Sequence, residues 1–126
     1  MSEHAEEIVA LWQRAQDSLA AAERLLADGF PDFAASRAYY AASALHLSAG
    51  KRFSKHNGVI AHVHKDYVKE GRLPADIGRL LNSLADLRDV GDYGAVIHVA
   101  PADAGAAIAD AKRFVGAVRP FLPAQL

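Results

Sequence analysis

Apolar residues recur every three or four positions in five stretches of the chain, and glycine or proline separates one stretch from the next. The stretches are residues 8–26, 32–49, 57–71, 74–91 and 101–122. This spacing gathers apolar side chains on one side of an α-helix, so the pattern predicts an all-α protein of about five helices. Residues 94–100 are also apolar, but a single strand would have no partner here, so we predict a loop.

The second stretch has almost no polar face, which is typical of a helix buried at the centre of a bundle. Arg37 lies within it. A buried guanidinium group needs a carboxylate or an anionic ligand. Asp86, Asp89 and Asp92 on or after the fourth helix could supply the carboxylate. Two interpretations stay open: an internal salt bridge, or a ligand contact in a cleft between the second and fourth helices.

The end of the fourth helix carries several hydrogen-bonding side chains. Arg88 lies on or beside its apolar face, and Asp92 and Tyr93 follow Gly91, where we expect the helix to stop. In one interpretation Arg88 pairs with an acid, and the other two are ordinary loop residues. In the other, the three side chains belong to a binding site.

A basic turn precedes the third helix. Residues 51–57 include three lysine or arginine side chains and His56. Free N–H groups at the start of a helix can bind phosphate, which makes Lys55 and His56 candidate ligands. Basic residues after a helix also complement its dipole, and this alternative stays open.

The composition indicates a single domain, residues 1–126, of closely packed helices, since 27 residues are alanine. The net charge of −1 provides no general attraction for a nucleic-acid backbone. The absence of cysteine excludes disulfides and cysteine-based metal sites. The acidic N-terminus lacks the features of a signal peptide, and no apolar stretch reaches the roughly 18–20 residues that span a bilayer. We therefore expect a cytoplasmic protein.

Neither a metal site nor a cofactor site is indicated by the sequence. His62 and His64 are two positions apart and point to different faces, whereas helical zinc sites use histidines four apart. No glycine-rich phosphate loop is present, and no serine has the glycine-framed setting of a nucleophile. We predict no metal, no cofactor and no catalytic residue.

Three segments, residues 35–41, 54–60 and 87–93, together resemble the small stand-alone prokaryotic proteins of the HEPN family (higher eukaryotes and prokaryotes nucleotide-binding domain). The resemblance implies an up-and-down helical bundle, usually dimeric, with a functional cleft near the end of the fourth helix. It also implies a link to metal-independent ribonucleases, which are often the toxin of a pair. Members of the family are frequently encoded beside a small nucleotidyltransferase.

The chain departs from the ribonuclease signature that the resemblance implies, an Arg followed after four to six residues by His. Counting from Arg88, those positions hold Tyr93, Gly94 and Ala95, and His98 is too far along. Proton transfer near neutral pH suits histidine, whereas tyrosine, with an ordinary pKa near about 10, is a poor substitute. The signature is incomplete, and this favours a protein that is not an enzyme.

The predicted function is nucleotide or RNA binding, by a homodimer that is paired with a small nucleotidyltransferase in a toxin–antitoxin-type system. In this hypothesis Arg88 meets an anion, Tyr93 stacks or donates a hydroxyl contact, and Asp92 orients them. The candidate ligand-binding residues are Arg37, Tyr40, Lys55, His56, Arg88, Asp92 and Tyr93.

Three alternatives remain open. The first is a ribonuclease that uses a displaced histidine, either His98 or His56 of the partner subunit. The second is a non-catalytic protein-interaction module whose polar cluster supports only the fold. In the third, a partner nucleotidyltransferase modifies the hydroxyl of Tyr93.

Overall fold

The structure, a computed structural model, describes residues 3–43, 68–69, 71 and 74–121. Over those residues it contains helices and no strand, which confirms the predicted all-α fold class. The α-helices in the described ranges are α1 (Glu3–Ala27), α2 (Pro31–Ser43), α3 (Ala75–Tyr93) and α4 (Pro101–Val118). A short 3₁₀-helix, Arg119–Phe121, continues α4. Most of the helix predicted for residues 57–71, and all of the basic turn before it, lie outside the described residues.

A Schellman motif ends α1. Gly29, with a φ of +90°, donates its N–H to the carbonyl of Leu26 at 3.1 Å, and Phe30 donates to the carbonyl of Leu25 at 2.8 Å. Glycine adopts this left-handed conformation without steric cost. Pro31 then occupies the first position of α2, where an N–H would have no partner within the helix. This tight turn leads directly into α2, which packs against α1.

The core is built around α2, which packs against each of the other three described helices. All but one of its buried residues are alanine or serine. The buried residues of α2 are Ala34, Ala35, Ser36, Ala38, Tyr39, Ala41, Ala42 and Ser43. Because small side chains let helices approach closely, one short helix can contact three neighbours. The largest fully buried side chains are Tyr39 on α2 and Leu81 and Leu84 on α3. The contact between α2 and α3, which positions the candidate site, therefore lies deep in the core.

The prediction that α2 is buried on all sides, with Arg37 inside, is wrong. Phe33, Arg37 and Tyr40 share one face of the helix, and the first two are exposed while Tyr40 is half-buried. No described carboxylate lies within ion-pair distance of Arg37, so the suggested salt bridge is not formed there. The alanines and Tyr39 are buried, whereas Phe33 and Arg37 point outward.

The fourth predicted helix, α3, continues past the expected stop at Gly91 and ends at Tyr93. Gly94 caps it and donates its N–H to the carbonyl of Val90 at 2.9 Å. Gly91 allows a close approach between helices, because a Cβ at this position would lie 2.4 Å from the carbonyl oxygen of Asp32 on α2. The residues expected in a loop therefore form the last turn of α3.

Residues 94–100 form a loop, as predicted, and connect α3 to α4. Val99 is buried, whereas Val96 and Ile97 are 89% and 70% exposed. Of these three apolar residues of the loop, one packs in the core and two face outward. Within the described ranges, no helix combines the length and the apolar character needed to cross a membrane.

Candidate functional site

Arg88 on α3 is almost fully buried, with 7% of its surface exposed. Its Nη1 donates a hydrogen bond to Oδ1 of Asp89 at 3.0 Å. Its Nη2 donates to the hydroxyl of Tyr40 at 3.0 Å and is 3.3 Å from the hydroxyl of Tyr93, which also accepts from it. One guanidinium group therefore connects α2 to the end of α3.

Asp92 lies one helical turn after Arg88, which brings its carboxylate alongside the guanidinium group. Its Oδ2 is 2.9 Å from Nε of Arg88. The Nε–H bond does not point along this line, and Nε is a buried nitrogen without a directed hydrogen bond. The contact is therefore an ion pair without a hydrogen bond. Two carboxylates, those of Asp89 and Asp92, surround a single positive charge.

Two guanidinium groups contact the ring of Tyr40. The Cζ atom of Arg37 lies 4.6 Å from the ring centroid, and that of Arg88 lies 5.6 Å from it. The Cζ atom of Arg88 is also 5.0 Å from the centroid of the Tyr93 ring. These distances permit cation–π attraction. We name this group of side chains the Arg88 cluster, and its members are Arg37, Tyr40, Arg88, Asp89, Asp92 and Tyr93.

The surroundings of Arg88 keep it charged. Burial, the largest single influence, acts to lower its pKa, but hydrogen bonds with Tyr40 and Asp89 act the other way, and the pKa is raised above its ordinary value. Burial also raises the pKa of the neighbouring core residue Tyr39 to about 12, despite the positive charge of Arg88 nearby. Both groups therefore hold a fixed protonation state through the neutral pH range.

Three members of the Arg88 cluster have largely exposed side chains, and one of them is Asp89, whose side chain is 63% exposed. Tyr93 is 71% exposed, and Arg37 is exposed on the outer face of α2. Arg88 lies beneath them and already has a partner at each terminal nitrogen. The geometry therefore presents an aromatic ring, a cation and a carboxylate outward. The expectation that Arg88 itself meets an anion is wrong, because its charge is buried and already paired with Asp89 and Asp92, as in the alternative in which Arg88 pairs with an acid. Arg88 instead holds the surrounding side chains in place.

A second polar contact, which the sequence reasoning missed, joins the start of α2 to the loop after α3. The Oδ2 atom of Asp32 lies 2.7 Å from Nδ1 of His98, and its Oδ1 accepts the N–H of Val99 at 2.7 Å. The hydrogen bond from the N–H of Val99 has the largest effect in lowering the pKa of Asp32 below 3.8, and the contact with the side chain of His98 has the next largest. Asp32 and His98 are 66 residues apart, so no local spacing in the sequence signals the contact.

Residues 8–120 match the sequence profile of the family described as HEPN domain. The chain belongs to the HEPN domain family. A UPF0332 protein of Thermotoga maritima is 33% identical over 93% of this HEPN chain and 92% of its own length. A UPF0332 protein of Gloeobacter violaceus is 37% identical over 89% of the chain and 93% of its own length.

An archaeal relative of this HEPN protein has a name that refers to an activity. A protein of Methanocaldococcus jannaschii named "Putative toxin" is 33% identical over 74% of the chain and 66% of its own length. A second protein of the same organism carries the same description and is 37% identical over 70% of the chain. Membership of the HEPN family confirms the resemblance found in the sequence.

The structure brings together five of the seven predicted ligand-binding residues of this HEPN chain, namely Arg37, Tyr40, Arg88, Asp92 and Tyr93. Lys55 and His56 lie outside the described residues. Asp89, which was considered only as a partner for Arg37, pairs instead with Arg88. Among the residues that are described, no group of three or more histidine or carboxylate side chains could hold a metal ion.

Proposed function

We propose that this HEPN protein binds a nucleotide or RNA at the Arg88 cluster and works in a toxin–antitoxin-type system. One observation carries the binding proposal: the exposed ring of Tyr93 and the exposed guanidinium of Arg37 belong to one network around the buried Arg88. A nucleobase stacks on an aromatic face, and a phosphate pairs with a guanidinium group. The names of the two archaeal relatives support the toxin part.

In this proposal Arg88 positions the groups that bind and does not itself touch the ligand. Its hydrogen bonds to the hydroxyls of Tyr40 and Tyr93 hold both rings, while Asp92 fixes the guanidinium group from the side. Arg37 packs on Tyr40 and so depends on the same network. Preorganised groups bind more tightly because less conformational entropy is lost on binding.

The charge of the cluster favours a small ligand. Two arginines, Arg37 and Arg88, are balanced by Asp89 and Asp92, so little affinity would come from displacing counterions along a long RNA backbone. We therefore expect recognition of a single nucleotide or a short unpaired segment, chiefly by stacking on Tyr93. Lys55 and His56 stay candidate phosphate ligands because the sequence places them in the basic turn before a predicted helix.

The proposed assembly is a cytoplasmic homodimer that pairs with a small nucleotidyltransferase. Two findings support it: membership of the HEPN family, for which the resemblance implies both kinds of partner, and the toxin names of two relatives. The chain lacks the complete Arg…His signature, so the proposal assigns no ribonuclease activity to the Arg88 cluster.

Calorimetric titration of the full chain with ATP and with a short unstructured oligoribonucleotide tests the binding proposal. Tyr93→Ala and Arg37→Ala should each weaken binding by about tenfold or more, the size expected for a lost stacking or phosphate contact. Arg113→Ala is the matched control, because Arg113 is an exposed arginine that pairs with Asp76 at the opposite end of α3. If the wild-type chain binds neither ligand at millimolar concentration, the proposal fails.

RNA cleavage by His98 is a second candidate function, and the contact with Asp32 favours it. The carboxylate of Asp32 holds Nδ1 of His98, and the ring is mostly exposed, so Nε2 is available as a base. Nε2 would take the proton of a ribose 2′-hydroxyl, whose oxygen then attacks the adjacent phosphorus. The 5′-oxygen would leave with a proton from water, which gives a 2′,3′-cyclic phosphate.

The variant His98→Asn separates this second function from simple binding. Asparagine can still donate a hydrogen bond to Asp32 but cannot act as a base, so cleavage should fall by about 100-fold or more while RNA binding is kept. Equal cleavage by this variant and by the wild type, purified in the same way, would exclude His98 as the base.

A further inference from the structure

Asp89 and Tyr93 lie four residues apart on α3, so their side chains are neighbours on one face of the helix. Both are hydrogen-bonded to the same guanidinium group. Nη1 of Arg88 donates to Oδ1 of Asp89 at 3.0 Å, and Nη2 donates to the hydroxyl of Tyr93 at 3.3 Å. Because Nη1 and Nη2 are bonded to one carbon atom, the carboxylate of Asp89 lies beside the hydroxyl end of the Tyr93 ring.

The carboxylate of Asp89 is held in place and is still accessible. The side chain of Asp89 is 63% exposed, whereas that of Asp92, which pairs with Nε of Arg88, is 23% exposed. An ionised carboxylate has about four acceptor sites, and the hydrogen bond from Arg88 uses one of those on Asp89. Asp89 is therefore the better placed of the two carboxylates to accept hydrogen bonds from a bound ligand.

A fixed carboxylate beside an aromatic ring distinguishes between the bases of RNA. A base that stacks on Tyr93 is read by the polar groups that surround the ring. A carboxylate only accepts hydrogen bonds, so it attracts a base edge with two adjacent donors. Guanine has such an edge, formed by N1–H and the 2-amino group. Adenine and cytosine place an acceptor nitrogen next to their amino group, and uracil places a carbonyl on each side of its N–H, so these three bases set a lone pair against the carboxylate.

We infer that the Arg88 cluster selects guanine, and that Asp89 recognises it by accepting hydrogen bonds from N1–H and the 2-amino group of a base stacked on Tyr93. The inference rests on the proposed function and names the nucleotide that the same site takes. Hydrogen bonds to an ionised acceptor are stronger than those between neutral groups, which favours this contact. The phosphate contact proposed for Arg37 is common to all nucleotides and does not affect the choice of base.

Calorimetric titration of the full wild-type chain with GMP, AMP, CMP and UMP tests the inference. The four ligands share the ribose and the phosphate, so a difference in Kd between them reports on the base alone. GMP should bind about tenfold or more tighter than each of the others, because only guanine supplies both donors to the carboxylate. The other three keep the stacking on Tyr93 and the phosphate contact, and they should bind more weakly.

Inosine monophosphate tests the two-donor contact without any change in the protein. Its base keeps N1–H but lacks the 2-amino group, so it forms one of the two proposed hydrogen bonds. It should bind less tightly than GMP and more tightly than AMP. Equal Kd values for inosine monophosphate and GMP would contradict the two-donor contact.

The variant Asp89→Asn tests whether Asp89 makes the selection. Asparagine keeps an oxygen acceptor for Arg88 but turns an amide N–H toward the guanine donors, so the preference for GMP over AMP should be lost. Asp17→Asn is the matched control. Asp17 is an exposed carboxylate on α1 that also accepts a side-chain hydrogen bond, from Gln13 at 3.0 Å, and its replacement should leave the preference unchanged.

Two results would overturn the inference and leave the proposed function standing. Equal affinity for the four monophosphates, or a preference for one of the other three, would show that the site binds nucleotides without selecting guanine. A preference for GMP that survives in Asp89→Asn would assign the selection to a different residue. If the wild-type chain binds neither these nucleotides nor an oligoribonucleotide at millimolar concentration, the proposed function itself fails.

Discussion

The hydroxyl of Tyr40 accepts a hydrogen bond from Nη2 of Arg88 at 3.0 Å, across a sequence separation of 48 residues. This bond joins the outer part of α2 to the last turns of α3. The guanidinium groups of both Arg88 and Arg37 lie within cation–π distance of the Tyr40 ring. The guanidinium group of Arg88 thus organises the candidate site while it remains almost inaccessible to solvent.

Replacing Arg88 by alanine should therefore affect the fold first. The change leaves the carboxylates of Asp89 and Asp92 without their cation and removes the hydrogen bonds to two tyrosine hydroxyls. We expect the free energy of unfolding to fall by about 3 kcal/mol, at the low end for a broken buried ion pair because Asp89 is largely exposed. Urea denaturation measures this loss.

Arg37→Ala serves as the control for that experiment. Arg37 is exposed and lies over the Tyr40 ring, so its loss should lower stability by about 1 kcal/mol or less. If the two variants are equally stable, Arg88 does not have the structural role assigned to it. A stable Arg88→Ala variant that binds nucleotide as tightly as the wild type would show that Arg88 does not position Tyr93 and Arg37 for binding.

Gly91→Ala should destabilise the protein even though alanine is the better helix former. The added Cβ would lie 2.4 Å from the carbonyl oxygen of Asp32, so α2 and α3 would have to move apart. We expect a loss of about 1–3 kcal/mol in the free energy of unfolding, the range for overpacking. Gly116→Ala is the matched control, since it lies within α4 and no described atom outside its own stretch of helix comes within 4 Å of the new Cβ. It should stabilise the protein by up to about 1 kcal/mol.

The contacts of Asp32 should appear in the pH dependence of stability. Because the N–H of Val99 and the side chain of His98 lower the pKa of Asp32 below 3.8, the charged carboxylate adds stability above the ordinary value of about 4. That stability is lost as the pH falls through the lowered pKa. Asp32→Asn should thus reduce the free energy of unfolding more at pH 6 than at pH 2, as measured by urea denaturation, and equal losses at both pH values would contradict this.

Tyr39 should behave in the opposite direction, at alkaline pH. Burial raises its pKa to about 12, so the protonated hydroxyl is favoured in the folded state. The resulting stability is complete below the unfolded-state pKa of about 10 and is lost as the pH rises toward 12. Ultraviolet titration should show one of the four tyrosines ionising only near pH 12 or on unfolding. A Tyr39→Phe variant should lack the ionisation step near pH 12. If the variant still shows that step, the step belongs to another tyrosine.

The hydrophobic pattern was sufficient to predict where the helices lie, but not which of their side chains are exposed. It predicted α1, α3 and α4 and the loop between the last two, because amphipathic spacing and glycine or proline at helix ends are local signals. It failed for Arg37, since a count of apolar residues does not separate an alanine that packs closely from a tyrosine or phenylalanine that points outward. It also failed for Gly91, because glycine stops a helix in one context and permits close packing in another.

The sequence by itself determined the helical class, the family and the set of side chains gathered at the end of α3, because these depend on residue type and on spacing along a few turns of helix. Only the tertiary structure decided which of those side chains are available. It buried Arg88 between two carboxylates and two hydroxyls, turned Arg37 outward and paired Asp32 with His98. Each of these outcomes depends on how closely α2 approaches α3 and the following loop, and that distance is set by packing between segments far apart in the chain.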